Sequence, residues 1–120
     1  MASPNLVNVD EITPKNNTAV LAGTGRVDII DVTAEYCAKV NTLLIGNVDG
    51  TADATITVET SIDNASSYIA LVKTVNVPAG STLSILPAPI YLDETDLLAV
   101  TASNGGDLSY FVSYELMKDS

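Results

Sequence analysis

Fifteen acidic side chains, five basic ones, a single cysteine and no histidine are the groups with which this chain could do chemistry. The densest acidic spacing is Asp93-Glu94-Thr95-Asp96, and Asp49-Gly50-Thr51-Ala52-Asp53 looks like the opening of a calcium loop. Calcium needs several oxygens converging on one point, and an EF-hand closes its loop with a bidentate Glu at the twelfth position. Here Ala54 to Thr60 continue as an alternating strand pattern instead. Residues 49–53 therefore read as hairpin chemistry and residues 93–96 as a solvated turn, and no metal or other cofactor is expected. Paired carboxylates could in principle hydrolyse a glycoside, but fifteen acids form many pairs and no motif selects two of them. Cys37 has no His to activate it and reads as a small buried or half-buried thiol. The missing imidazole also removes Ser-His-Asp and Cys-His catalysis and most zinc sites. Gly23-Thr24-Gly25 lacks the trailing Gly-Lys-Ser/Thr of a phosphate loop. The chain reads as a non-enzyme.

The elements that must position these groups are strands. The 120 residues suit one domain, and after Asn17 short segments rich in Val, Ile, Thr and Tyr are punctuated every eight to twelve residues by Gly, Pro, Asn and Asp. Leu108, Tyr110, Val112, Tyr114 and Leu116 alternate with Ser109, Phe111, Ser113, Glu115 and Met117, which predicts a strand with one face on a core and the other toward water or a partner. Asn104-Gly105-Gly106-Asp107 predicts a hairpin joining that strand to Leu97–Ala102, and Asp49-Gly50 predicts another between Val40–Val48 and Ala54–Glu59. Gly23-Thr24-Gly25 suggests a third, between Thr18–Ala22 and Arg26–Val32. Pro87 and Pro89 cannot both sit in a central ladder, so they mark a sheet edge or a change of sheet before Ile90-Tyr91-Leu92. Only Asp31–Lys39 has room for a turn of helix. The expected fold is an all-β, two-sheet antiparallel β-sandwich, Ig-like or jelly-roll-like, of about eight strands. Residues 1–17 read as an extended N-terminal arm and residues 18–120 as the sandwich domain.

Charge narrows the partners. A formal net charge of −10 repels nucleic-acid backbones. Thirty-two residues are Thr, Ser or Asn, so neutral polar groups carry much of the hydration. Most acids fall at predicted turns and loop ends (Asp49, Asp53, Asp63, Asp93, Glu94, Asp96, Asp107), leaving neutral faces for contact. The start of the chain lacks a basic region followed by an apolar run, and no window has the ~20 apolar residues of a membrane span, so synthesis in a cytosol and no membrane partner are expected. Leu6, Val7, Val9 and Ile12 of the arm, and Phe111 outward on the last strand, are the candidate partner contacts.

One further set of features runs from Val40 to Glu115. Gly46-Asn47-Val48-Asp49-Gly50 is followed by Ala54-Thr55-Ile56-Thr57-Val58, Val77-Pro78-Ala79-Gly80-Ser81-Thr82-Leu83 and Ile90-Tyr91-Leu92, then by the closing Ser109-Tyr110-Phe111-Val112-Ser113-Tyr114-Glu115. With the opening Ser3-Pro4-Asn5-Leu6-Val7-Asn8-Val9, this order resembles small all-β virion structural proteins of tailed bacteriophages, especially cyanophages. The resemblance implies a β-sandwich without catalytic residues, carried in a virion assembled in bacterial cytoplasm. It implies a capsid decoration or cement protein that binds the major capsid protein as a homo-oligomer, with a trimer favoured. A neck, tail or baseplate subunit is the alternative within that class. A carbohydrate- or receptor-binding module is the alternative outside it, and it would require aromatic side chains exposed at loop ends.

Overall fold

The computed structural model describes the backbone of residues 9–119 and the side chains of residues 11–118. Nine strands and no helix occur among the described residues: β1 (Val9–Val20), β2 (Val27–Asp31), β3 (Tyr36–Asn47), β4 (Ala54–Ser61), β5 (Ile69–Val77), β6 (Thr82–Ser84), β7 (Ile90–Leu92), β8 (Leu97–Ala102) and β9 (Leu108–Asp119). They form two antiparallel sheets that stack as the expected β-sandwich. One, sheet A, has the order β1-β9-β3-β6, with β7 also pairing β3, and the other, sheet B, has the order β2-β8-β4-β5. If β6 and β7 are counted as one strand broken at Pro87 and Pro89, eight strands alternate between the sheets, except for the β4–β5 hairpin within sheet B, as in a jelly roll.

The alternation that defined the strands is seen in their burial. Ala54, Ile56 and Val58 of β4 are buried and Thr55 and Thr57 are half-buried on the other side. Leu108, Tyr110 and Val112 of β9 face Leu43 and Ile45 of β3 inside the sandwich, and Ile56, Leu98 and Val100 meet them from sheet B. A buried Asn47 joins the layers, its Nδ2 donating to the carbonyls of Val77 and Ala52, each at 2.9 Å. Its Oδ1 accepts the amide of Asp49 at 2.9 Å. A polar side chain is tolerated there because all of its groups are used.

Three predicted hairpins are corrected. β8 lies in sheet B and β9 in sheet A, so Asn104–Asp107 bridges the sheets and does not close a two-strand ladder. Likewise 48–53 carries the chain from β3 in sheet A to β4 in sheet B, and 21–26 carries it from β1 to β2. The physical reason is that Gly, Asn and Asp satisfy any tight reversal, whichever sheet receives the next strand. The arches are held to each other: Gly106 N donates to Leu21 O at 2.7 Å and Val48 N to Asp107 O at 2.8 Å. A Cβ on Gly105 would lie 2.6 Å from Ala22 O, so a glycine is required by the close approach of the two arches. β4 and β5 are the consecutive long strands that do form a hairpin. Residues 32–35 form a turn from β2 to β3 with no helix.

The boundary of the arm also differs from expectation. Val9–Asn17 belongs to β1, which pairs with β9 from Val9↔Asp119 to Val20↔Ser109. As an edge strand, β1 accommodates Pro14 and the polar run Lys15-Asn16-Asn17-Thr18. Residues 1–8, with Leu6 and Val7, lie outside the described residues.

Candidate assembly surfaces

Asp49 Oδ1 accepts the amide and the hydroxyl of Thr51, both at 2.9 Å, which lowers its pKa below the ordinary carboxylate value. Asp53 turns away to the amide of Ala79 at 2.9 Å and to Asn76. Asp63 accepts from the hydroxyl and amide of Ser67 and from Ser61, which also lowers its pKa. In the 93–96 turn, Asp96 Oδ2 accepts the amide of Asp93 at 2.9 Å, and Glu94 reaches across to the amide of Glu35 at 2.7 Å. These carboxylates close their own turns or tie neighbouring ones. Among the described residues no three Asp, Glu or Cys side chains converge on a common point. Asp96 is buried, and that burial raises its pKa. Burial, with Asp93 and Asp96 adding repulsion, raises that of Cys37 as well, so the thiol is held protonated.

The acids line the two ends of the sandwich and the outer face of sheet B. That face is closed by a clamp in which Arg26 donates to Glu59 Oε1 at 3.0 Å and stacks 3.8 Å above the ring of Tyr68. The Tyr68 hydroxyl donates to Asp28 at 3.0 Å. An aromatic ring at a loop end is thereby already covered by a guanidinium.

The outer face of sheet A is different. Across its register lie Thr18, Phe111, Leu44 and Ser84, then Asn16, Ser113 and Thr42. Its carboxylate, Glu115, stands directly opposite Lys39 and accepts from Asn41 Nδ2 at 3.3 Å.

By register, several exposed apolar side chains share the outer face of sheet A: Ile12, opposite Met117, is 57% exposed, Val20, opposite Ser109, 53%, and Tyr91, opposite Lys39, 58%, with Phe111 on the same face. On β5, at an edge of sheet B, Ile69 is 62% exposed, with Leu71 and Val75 exposed on the same strand, and Val27 is exposed on β2 at the other edge. Val48 and Ile62 are exposed in the turns on either side of β4. β1 lies over β2, linked by Asn17 Nδ2 to Ile29 O at 3.3 Å.

Of the residues expected to contact a partner, Ile12 and Phe111 both lie on the outer face of sheet A, Ile12 opposite Met117 and Phe111 opposite Thr18. Val9 is placed by its backbone at the start of β1, and its side chain lies outside the described residues. Sequence reasoning missed Val20, Val27, Ile69, Leu71, Val75 and Tyr91. A signal for the last four was present: Asn64 to Leu92 is a run of twenty-nine residues without Asp or Glu, in a chain that holds fifteen of them.

No family model matches the chain, and no curated protein matches it by sequence. Solved structures do match. A Bacillus endospore appendage protein, from a family of disulfide-linked pili, aligns at 14% identity with a TM-score of 0.53, covering 91% of this chain and 89% of that one. The Drosophila NLP core, described for pentamer formation and histone binding, aligns at 13% identity and TM-score 0.50, covering 85% and 96%. A pentameric capsid protein from metagenomic phage sequences aligns at 13% identity and TM-score 0.42, with this chain spanning 63% of that one. At these identities the likeness is one of fold.

Proposed function

We propose that this protein is a non-enzymatic structural subunit of a phage virion, a capsid decoration or cement protein that binds the major capsid protein as a homo-oligomer, a trimer at local three-fold positions. The observation that carries the reading is the surface itself: a small jelly roll whose acids rim its ends and sheet B, and whose exposed Ile12, Val20, Tyr91 and Phe111 share the outer face of sheet A. Soluble monomers seldom expose large apolar patches without a partner to cover them. A net charge of −10 keeps such a subunit off the genome packaged beside it. The order of segments from Val40 to Glu115 supports a virion protein, and two proteins of the same fold are described as a pilus family and a pentamer former. The exposed aromatics Tyr91 and Phe111 lie within β7 and β9 and not at loop ends, which weighs against a glycan-binding module.

The test is to mix the purified protein with shells of its own phage assembled without it. Co-sedimentation at a fixed number of copies per capsid subunit, with a higher temperature of shell disruption, is expected. Shells that sediment without the protein and break at an unchanged temperature would refute the decoration role.

A further inference from the structure

We propose that the free edge of β1 is a strand-pairing surface whose occupant is the same edge of a second copy, the two strands running antiparallel about a two-fold axis at Asn16, so that sheet A continues from one chain into the next. The contact goes beyond the reading above, because it pairs copies whether or not either is bound to a capsid.

Register and hydrogen bonding locate the edge. Leu21 N donates to Leu108 O at 2.7 Å, and the ladder between β1 and β9 runs without a shift from Glu11↔Lys118 to Val20↔Ser109. Bonded and unbonded pairs alternate in an antiparallel ladder, so the odd-numbered residues of β1 exchange bonds with β9 and the even-numbered ones turn their N–H and C=O groups away from it. Ile12, Pro14, Asn16, Thr18 and Val20 therefore present a row of backbone groups along the end of sheet A. Pro14, which has no N–H to give, sits where that lack costs the pairing with β9 nothing. β1 is uncovered on both faces as well: Lys15, Asn17 and Ala19, on the inner face with Tyr110 and Val112, are exposed, like Asn16 and Thr18 on the outer face. The other sheet ends are guarded. β2 and β5 are bulged against their neighbours, and β6 and β7 are three residues apiece on either side of Pro87 and Pro89. Bulges, short strands and prolines keep edges from pairing, and from Glu11 onward β1 has only Pro14.

The edge fits itself. Centred on Asn16, the pairing sets Ile12 of each copy opposite Val20 of the other on the outer face, joining side chains that are 57% and 53% exposed in the single chain. No other axis joins that pair. Pro14 then faces Thr18 of the second copy, where its carbonyl still accepts, and the pairs at Ile12, Asn16 and Val20 exchange both bonds. Charge selects the second copy as the occupant. Ile12 to Val27 is a run of sixteen residues without Asp or Glu that includes Lys15, in a chain of net charge −10. Two such chains repel over most of their surface, and an acid-free edge carrying a lysine is a line along which they meet. At the axis each Lys15 stands opposite Asn17 of the second copy, so no like charges are set directly opposite one another.

The test uses full-length protein and reads the register. In a Cys37→Ala background, Thr13→Cys and Ala19→Cys place thiols at positions that the two-fold sets opposite one another. They form an unbonded pair with Cα atoms about 4.5 Å apart, within the span of a disulfide. An equimolar mixture of the two variants is expected to give disulfide-linked pairs under mild oxidation. Each variant alone is expected to give none, because its own two thiols lie about 20 Å apart along the ladder. Pro14→Ala supplies the donor missing opposite Thr18 and is expected to tighten association several-fold, a gain that a misfolded variant would not reproduce. Asn16→Pro removes both donors at the axis and is expected to weaken association at least ten-fold, while β1 keeps its bonds to β9. Linkage in either variant alone, no linkage in the mixture, Pro14→Ala no tighter than the parent, Asn16→Pro as tight as the parent, or a single-chain mass at every concentration would overturn the proposal. Loss of capsid binding with the mixed linkage intact would count against the decoration role and leave the β1 pairing standing.

Discussion

Asn47 shows how much of this fold hangs on one polar side chain. It sits buried between the sheets and spends its amide on two carbonyls and one N–H, linking β3 to β5 and to the 48–53 arch. Alanine there would strand those buried partners as well as open a small void. At about 1–3 kcal/mol for a buried group left unsatisfied, Asn47→Ala is expected to lose roughly 2–4 kcal/mol, read as a lower denaturant midpoint at unchanged slope. A loss within experimental error would mean that water replaces the amide. Asp96 gives a prediction of the opposite kind. Burial raises its pKa in the folded state, so between the ordinary carboxylate value and that raised value the folded chain binds more protons than the unfolded one. Stability from this group therefore falls as pH rises through that window. Asp96→Asn removes the titration while keeping an acceptor for the amide of Asp93, so the variant should gain on the parent as pH rises from about 3 to 7. Two stability profiles parallel over that range would disprove it.

At the scale of elements, strands were legible in the sequence and their partners were not. Strict alternation located β4 and β9 because each has one face in the core and the other outside. Turn residues located the ends of those strands for the same local reason. Which sheet receives the next strand is decided by long-range pairing, and Asn104–Asp107 looks the same whether it closes a hairpin or an arch. The exposed apolar residues of β5 were hidden for a related reason: the strand is bulged, so Ile69, Leu71, Val72 and Val75 follow no clean period. The acid-free run from Asn64 to Leu92 did mark them, though as charge and not as pattern. The same irregularity makes a prediction. Thr74 is β-branched at a positive φ, which favours glycine, while its amide donates to Thr57 Oγ1 at 3.0 Å and would still do so in a variant. Thr74→Gly is therefore expected to stabilise the chain by about 0.5–1 kcal/mol, less any added freedom of the unfolded state, and to raise the melting temperature by a few degrees. A lower melting temperature would show that the threonine side chain contributes more than its backbone costs.

At the scale of the whole molecule, charge and apolar surface act on assembly in opposite directions, and salt separates them. The net charge of −10 sets copies against each other at long range, whereas exposed apolar side chains such as Ile12, Ile69 and Leu71 act at short range. Ionic screening shortens the reach of the repulsion from about 30 Å at 0.01 M to about 8 Å at physiological strength. Screening also weakens attraction between unlike charges on two copies, but fifteen acids outweigh five bases on each. Apolar burial is nearly indifferent to salt in this range. Self-association should accordingly strengthen as sodium chloride rises from about 0.01 to 0.15 M, then level off. Lys73→Glu, which takes the net charge from −10 to −12, should bind less at every salt concentration and climb more steeply with salt, because it adds to that repulsion. Sedimentation equilibrium across that range measures both curves. Association that weakens steadily with salt would mean that ion pairs hold the copies together, and would assign the exposed apolar side chains to another partner.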